Sequence, residues 1–434
     1  DVYKRQEFNF GYNGTERLAK KDRFELFPAV SLGWVISNEK FFETFLDKID
    51  NLKIRASYGL VGSDETGSGA GSYLYRDNVE LNSIGYTTGS GWNVTNKGPK
   101  ILQYAIANAT WERARKLDIG LDITMFRNLH ITADYFHEYR YNILMERASW
   151  PKMFGYDEAV PWSNIGAVRS FGGELSVNYK HQFSKDWLID IRGNFTYVEN
   201  NYDEKDEPKY NYEWEKATGT PMQAMWGYIA DGLFNTEDEI KHSADQSGLG
   251  STPMPGDIKY RDLNGDGIIN SHDKCMISEY GKRPRIQYGL GVNVMYKNFD
   301  FGAFINGSAM RKVMISGIHP FLSGTLSTSG DKNVFKFVAE DFWTEENRNA
   351  SYPRLGVLQS EVAGNHVSST FWLRNGNFLR LKNVELGYTY KFCRLYVRGD
   401  NLAVFSPFDL WDPELNWNSY PLQRTVSVGV QMNF

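Results

Sequence analysis

The last ten residues, Thr425-Val426-Ser427-Val428-Gly429-Val430-Gln431-Met432-Asn433-Phe434, restrict the fold more than any other stretch. Val426, Val428, Val430, Met432 and Phe434 share one parity, while Thr425, Ser427, Gly429, Gln431 and Asn433 share the other. A strand sends alternate side chains to opposite faces. This strand therefore has one apolar face and one polar or glycine face. A transmembrane barrel strand requires that division, with lipid outside and a wet lumen inside. A soluble sandwich strand tolerates it, so repetition along the chain decides.

The division repeats. Leu117, Ile119, Leu121, Ile123 and Met125 alternate with Asp118, Gly120, Asp122 and Thr124. After a turn at Arg127-Asn128, Leu129, Ile131, Ala133, Tyr135, His137, Tyr139, Tyr141 and Ile143 oppose His130, Thr132, Asp134, Glu138, Arg140 and Asn142. A charged second face of that length suits a water-filled lumen and not a dry core. Similar runs occur at 7–12, 27–37, 52–61, 174–180, 187–197, 288–296, 299–305, 379–392 and 394–404. The total is about twelve strands, most near or above the roughly 9–11 residues that cross a bilayer at a tilt. Leu379 and Leu381 lie on the opposite parity to Val384, which predicts a bulge near Asn383.

Connections alternate between tight turns (127–128, 184–186, 297–298, 392–393) and long insertions (62–112, 147–165, 201–282, 310–375, 405–423). Phe41, Phe42, Phe45 and Leu46 predict a helical link over 38–50, on the short-turn side. Short periplasmic turns and long outer loops are the asymmetry of outer-membrane barrels. The expected fold is all-β: the C-terminal portion of a transmembrane antiparallel β-barrel, with long extracellular loops and no plug. Asp1–Gln6 resemble translated adapter sequence and are set aside as non-native, leaving 7–434 as the barrel portion and 201–282 as its longest extracellular insertion.

Bulk properties narrow the function. The net charge is −5 and the pI about 5.9, which gives no electrostatic case for nucleic acid. Aromatics reach 15% of the 434 residues, as aromatic belts would require. Mean hydropathy is −0.49, and no run approaches the ~18 apolar residues of a membrane helix. Cys275 and Cys393 form no disulfide framework. The seven histidines are scattered without metal-ligand spacing, and no phosphate loop, nucleophile elbow or dominant acid pair stands out.

One loop has ligand spacing. Asp262, Asn264 and Asp266 stand at positions one, three and five, Gly267 at the turn, Ile268 with its carbonyl at seven, and Asp273 at twelve. Hard cations such as Ca2+ take oxygens at this spacing. Asp in place of Glu at twelve, and the lack of strong flanking helix patterns, separate it from a full EF-hand. The alternative is a polar Asx/Gly turn without metal. Loop aromatics (Trp92, Trp111, Trp150, Trp162, Trp214, Trp343, Trp372, Trp411, Trp417) suit either loop cores or stacking platforms for cargo.

Several stretches resemble the SusC/RagA family of TonB-dependent outer-membrane transporters, in the family's order. They are Trp226-Gly227-Tyr228 with Asp231-Gly232-Leu233-Phe234, Gly256 to Gly267, Tyr352-Pro353-Arg354-Leu355, Leu379 to Tyr388, and Tyr420 to Arg424. The resemblance implies a plugged barrel of about 22 strands, a SusD-like lipoprotein partner, drive by TonB, outer-membrane lipid as surroundings, and oligosaccharide or oligopeptide cargo. The chain carries no plug or TonB box. Two rivals remain: a secreted Ca2+-binding β-rich carbohydrate-binding or adhesin protein, and a glycan-degrading enzyme. The charged second faces speak against the first and the lack of an acid dyad against the second.

Overall fold

The computed structural model describes residues 4–65, 73–106, 108–151, 153, 159–315, 335–356, 359–415 and 419–433. Twelve strands form an antiparallel sheet in chain order: β1 (Lys4–Gly14), β2 (Phe24–Val35), β3 (Ile49–Ser63), β4 (Glu112–Met125), β5 (Leu129–Glu146), β6 (Trp162–Ser184), β7 (Trp187–Glu204), β8 (Ile286–Tyr296), β9 (Phe299–Ala309), β10 (Phe378–Tyr390), β11 (Cys393–Phe405) and β12 (Thr425–Met432). No helix among the described residues is long and apolar enough to cross a membrane. The chain divides into two compact units, Asp1–His181 with Arg192–Tyr210 and Lys216–Met222, and Gln182–Ile191 with Asn211–Glu215 and Gln223–Phe434.

In the first unit the register carries each face from strand to strand. Phe8 pairs with Val30, Val30 with Tyr58, Tyr58 with Leu117, and Leu117 with His137. On this parity Phe8, Phe10, Tyr58, Ile119 and Tyr135 are exposed. A large apolar face left bare to solvent marks an interaction surface. Here it runs the length of whole strands, as contact with lipid requires. The second unit repeats the design, with Phe301 against Leu386, Leu386 against Val397, and Val397 against Val428, all exposed.

The bulge expected from parity is present. Register shifts between Leu381 and Asn383, against β9 and against β11. The extra residue, Lys382, lets Arg380 and Glu385 share the polar face although they are an odd number of positions apart. Leu379, Leu381 and Val384 thereby keep the apolar one.

Several boundaries differ from the sequence reading. β1 starts at Lys4, so Lys4–Gln6, set aside above, pair with Leu32–Trp34. The 62–112 insertion contains a hairpin, Asn78–Thr88 with Val94–Gln103. Its Val79, Leu81 and Tyr86 are exposed and bury no face that would impose a period. The 38–50 link is two short 3-10 turns, Ile36–Asn38 and Lys40–Phe45. Phe41, Phe45 and Leu46 are exposed, so no packed face extends it into a helix. The last tight turn is 391–392, one residue early. Positive φ at Arg127, Lys297 and Lys391 gives these hairpins the reversal that twisted strands need. Phe434, residues 66–72 of the 62–112 insertion and Trp417 lie outside the described residues.

Candidate functional site

The polar face of each unit is filled by ion pairs that run across strands. In the first unit Arg55 on β3 lies 2.5 Å from Asp134 on β5 and 3.3 Å from Asp118 on β4. Lys116 pairs with Glu138 at 3.2 Å, Arg140 with Glu112 at 2.8 Å, and Arg113 with Glu25 at 2.5 Å. Arg55 reaches Asp134 by passing over Gly120, its direct partner on β4. A Cβ there would stand 2.6 Å from both Arg55 Nε and Asp134 Oδ1. The second unit uses the same device. Arg394 on β11 crosses Gly387 on β10 to Asp300 on β9, and also meets Glu385 at 2.5 Å. An ion-paired wall of this kind stays wet and charged without uncompensated charge.

In the second unit the long connections fold into a body of their own. Its core gathers Tyr228, Ile258, Tyr260, Ile269, Val313, Ile315, Val338, Tyr352, Trp372 and Phe408. Asp257, 3% exposed, is its polar centre. One oxygen lies 2.7 Å from Arg354 Nε and accepts the Asn365 amide at 2.8 Å; the other accepts the Met254 N–H at 2.8 Å and Arg354 Nη2 at 3.2 Å. Asn365 accepts the Ile258 N–H at 2.8 Å, and its carbonyl accepts Trp372 Nε1 at 2.7 Å. Gly256, just before Asp257, sits at φ +91°, and a Cβ there would stand 2.5 Å from Trp343 Cε3, so both backbone and space require glycine. Two separately noted stretches, Gly256-Asp257 and Pro353-Arg354, are therefore one construction. Burial pushes the Tyr260 phenol up and the His366 imidazole down to about 4.

The loop proposed for Ca2+ hangs from this core. Ile269 is fully buried, and the Ile269 N–H donates to the Asp245 carbonyl at 2.8 Å. Asp262 accepts the N–H groups of Gly265 and Gly267 at 2.7 and 2.8 Å. Asn264 Oδ1 accepts the Asp266 N–H, and Asp266 Oδ1 accepts the Ile268 N–H. That Ile268 amide, with Asn264 next, holds the Asp266 carboxyl below its ordinary value. Asp266 is exposed and Asp262 and Asn264 are half-buried; Asn264 Nδ2 donates to Asp266 Oδ2 at 2.9 Å, and Asn270 Nδ2 to the Ile268 carbonyl at 3.4 Å. Asp273 does not join them: it is fully buried, with its oxygens on the N–H groups of Leu263 and Asn270 at 2.8 Å each. Among the described residues no three acidic, His or Cys side chains converge as a metal cluster.

Of the loop tryptophans, Trp111, Trp343 and Trp372 are buried, and Trp214 stacks on Tyr212 with its Nε1 on the His272 carbonyl at 2.8 Å. Trp92 and Trp150 are exposed. Sequence reading missed the Asp257–Arg354–Asn365 centre, in which Asp257 is 97 residues from Arg354 and 108 from Asn365. It also missed the roles of Gly120 and Gly387. A glycine on the polar parity between an Arg strand and an Asp strand is the signal that marks them.

Comparisons with known proteins agree with this architecture. The family described as TonB dependent receptor-like, beta-barrel matches residues 2–402. TonB-dependent receptor P3 of Formosa agariphila is 25% identical, over 97% of this chain and 43% of its own length. TonB-dependent receptor SusC of Bacteroides thetaiotaomicron is 28% identical, over 98% and 42%. The chain spans less than half the length of these curated relatives. The solved RagAB peptide importer in its closed-closed state superposes with a TM-score of 0.71 at 19% identity, over 100% of this chain and 46% of that one, and so shares the fold. These relatives are named as receptors and an importer. With its match covering most of the sequence, its antiparallel sheet and its bare apolar face, the chain belongs to the TonB-dependent receptor-like β-barrel family of the bacterial outer membrane.

Proposed function

We propose that this chain supplies wall strands and outer loops of a TonB-dependent importer that carries oligosaccharides across the outer membrane with a SusD-like lipoprotein. The observation that carries the reading is the pairing of a bare apolar face with an ion-paired polar face on the same strands. A secreted adhesin would have to hide the first of these. The exposed Trp92 and Trp150 favour sugar cargo, since aromatic rings stack on sugars. The likeness in fold to a peptide importer favours oligopeptides as the second reading. TonB coupling belongs to the whole protein. Deleting the gene in its host tests the reading: growth on an oligosaccharide as sole carbon source should fail while growth on the monosaccharide continues, and the lipoprotein should co-purify with the intact protein. Unchanged oligosaccharide uptake, or the protein in the soluble fraction, would contradict it.

We also propose that the 262–270 loop binds Ca2+ through Asp262, Asn264, Asp266 and the Ile268 carbonyl, with Asp273 as the clasp that shapes the loop. The support is the spacing of oxygens and the lone pairs that each carboxylate keeps beyond its amide bonds. Calorimetry of the intact protein with millimolar Ca2+ should show binding that Asp262→Asn with Asp266→Asn removes. Identical heats from both proteins would leave the segment as an Asx turn without metal.

A further inference from the structure

In the second unit a cavity of about 500 Å³ opens on the polar face at the loop-side ends of β8, β9 and β10. That lies within the roughly 300–1,000 Å³ of small-molecule sites. Its floor is Ser308 and Asn306 on β9. Ser308 is 5% exposed. The Ser308 hydroxyl and the Asn306 amide oxygen are both buried without a hydrogen-bond partner among the described residues. Buried polar atoms left so are uncommon, and each costs about 1–3 kcal/mol unless something meets it.

The charged part of the lining is mostly cationic, Lys282, Arg283 and Arg311 against Glu414. Arg311, also 5% exposed, donates from Nε to the Lys282 carbonyl at 2.8 Å, and from its two Nη atoms to the carbonyls of Pro413 and Leu415. Carbonyls satisfy its donors but do not cancel its charge. Lys282 and Arg283 stand exposed at the mouth. The acid lining this cavity is Glu414, 2.9 Å from Arg380 Nε and 3.7 Å from Lys382 Nζ; with Asp412 it also acts on Arg311, so two acids are shared among five cations. The chain as a whole is acidic at −5, so three cations gathered here run against its composition.

A ligand that answers all of these groups brings negative charge and hydrogen-bonding groups together. A fully deprotonated inorganic anion such as sulfate meets the cations but offers no donor to Asn306. A neutral sugar meets Asn306 and Ser308 but leaves the cations unanswered. We propose that this cavity is a subsite for a carboxylate-bearing sugar ring, a uronate, of an acidic oligosaccharide. Lys282, Arg283 and Arg311 face the carboxylate, and Asn306 and Ser308 bond ring hydroxyls. This deepens the importer reading and rests on it for the presence of cargo.

Calorimetry on the full-length protein in detergent tests it, with trigalacturonate, maltotriose and trialanine as probes at low and high salt. Trigalacturonate should bind at least about tenfold more tightly than maltotriose, the size of a charge-assisted hydrogen bond. Lys282→Ala with Arg283→Ala, both on exposed side chains, should abolish that preference, as should high salt. Ser308→Ala should weaken trigalacturonate several-fold without restoring maltotriose. Equal affinity for the two sugars, a preference untouched in the double variant, or binding of trialanine alone overturns the subsite. The gene-deletion test of uptake is independent. A transporter that imports neutral oligosaccharide and shows no acid preference keeps the importer reading and loses this one.

Discussion

Gly120 lacks a side chain because Arg55 and Asp134 fill the place one would take. Gly120→Val should force that ion pair apart and lower stability by about 1–3 kcal/mol, the range for overfilled sites. Gly98→Val, where nothing lies within 4 Å of the built Cβ, is the control for thermal unfolding in detergent. Asp257 should be more costly to lose. Asp257→Ala leaves the Arg354 guanidinium, 15% exposed, without its carboxylate, and breaking such a buried pair costs about 3–5 kcal/mol. Loss of the loop body with the strands intact, read by proteolysis of 223–282, is the expected outcome. His366 sets a pH dependence. Its folded pKa is depressed by burial to about 4 from 6.5. Between those values the unfolded chain holds the extra proton. Stability from this group is therefore full above about pH 6.5 and falls as pH drops toward 4. His366→Gln should flatten a melting-temperature profile over that interval. At this scale the sequence showed the ligand spacing of Asp262 to Asp273, because it is local. It did not show that Asp273 turns inward onto Leu263 and Asn270, since that depends on Ile269 being anchored in a distant core.

Strand parity was the most legible property, because side-chain alternation is fixed by the backbone and needs no tertiary knowledge. The parity break between Leu381 and Val384 located the Lys382 bulge for the same reason. The Asn78–Thr88 hairpin was not legible, since its strands face water on both sides and bear no period. Nor was the core of the loop body, whose Tyr228, Ile315 and Trp372 come together from insertions separated by whole strands. β12 allows a paired test of the parity. Val428 is 77% exposed on the apolar face, and Ser427 faces the other way. Val428→Arg in the full-length protein should cost about 2–4 kcal/mol in a bilayer, while Ser427→Arg should cost little. Equal costs in a folding titration into liposomes would mean that the two faces do not meet different solvents.

For the molecule as a whole, two properties have to hold together: a face that water does not want and a face that carries charge in water. Tyr58, Ile119, Leu386, Val397 and Val428 are exposed on the first, while Ser57, Asp118, Glu385, Arg398 and Ser427 alternate with them on the second. The most direct measurement is spin-label accessibility at these ten positions. It would use the full-length protein reconstituted in liposomes, with Cys275 and Cys393 replaced by Ser. Expected is a strict alternation, with labels at the first five relaxed by oxygen, which partitions into lipid, and labels at the second five by a water-soluble nickel chelate. Relaxation of both sets by the nickel chelate, or protection of the first five from both reagents, would contradict a lipid-facing wall.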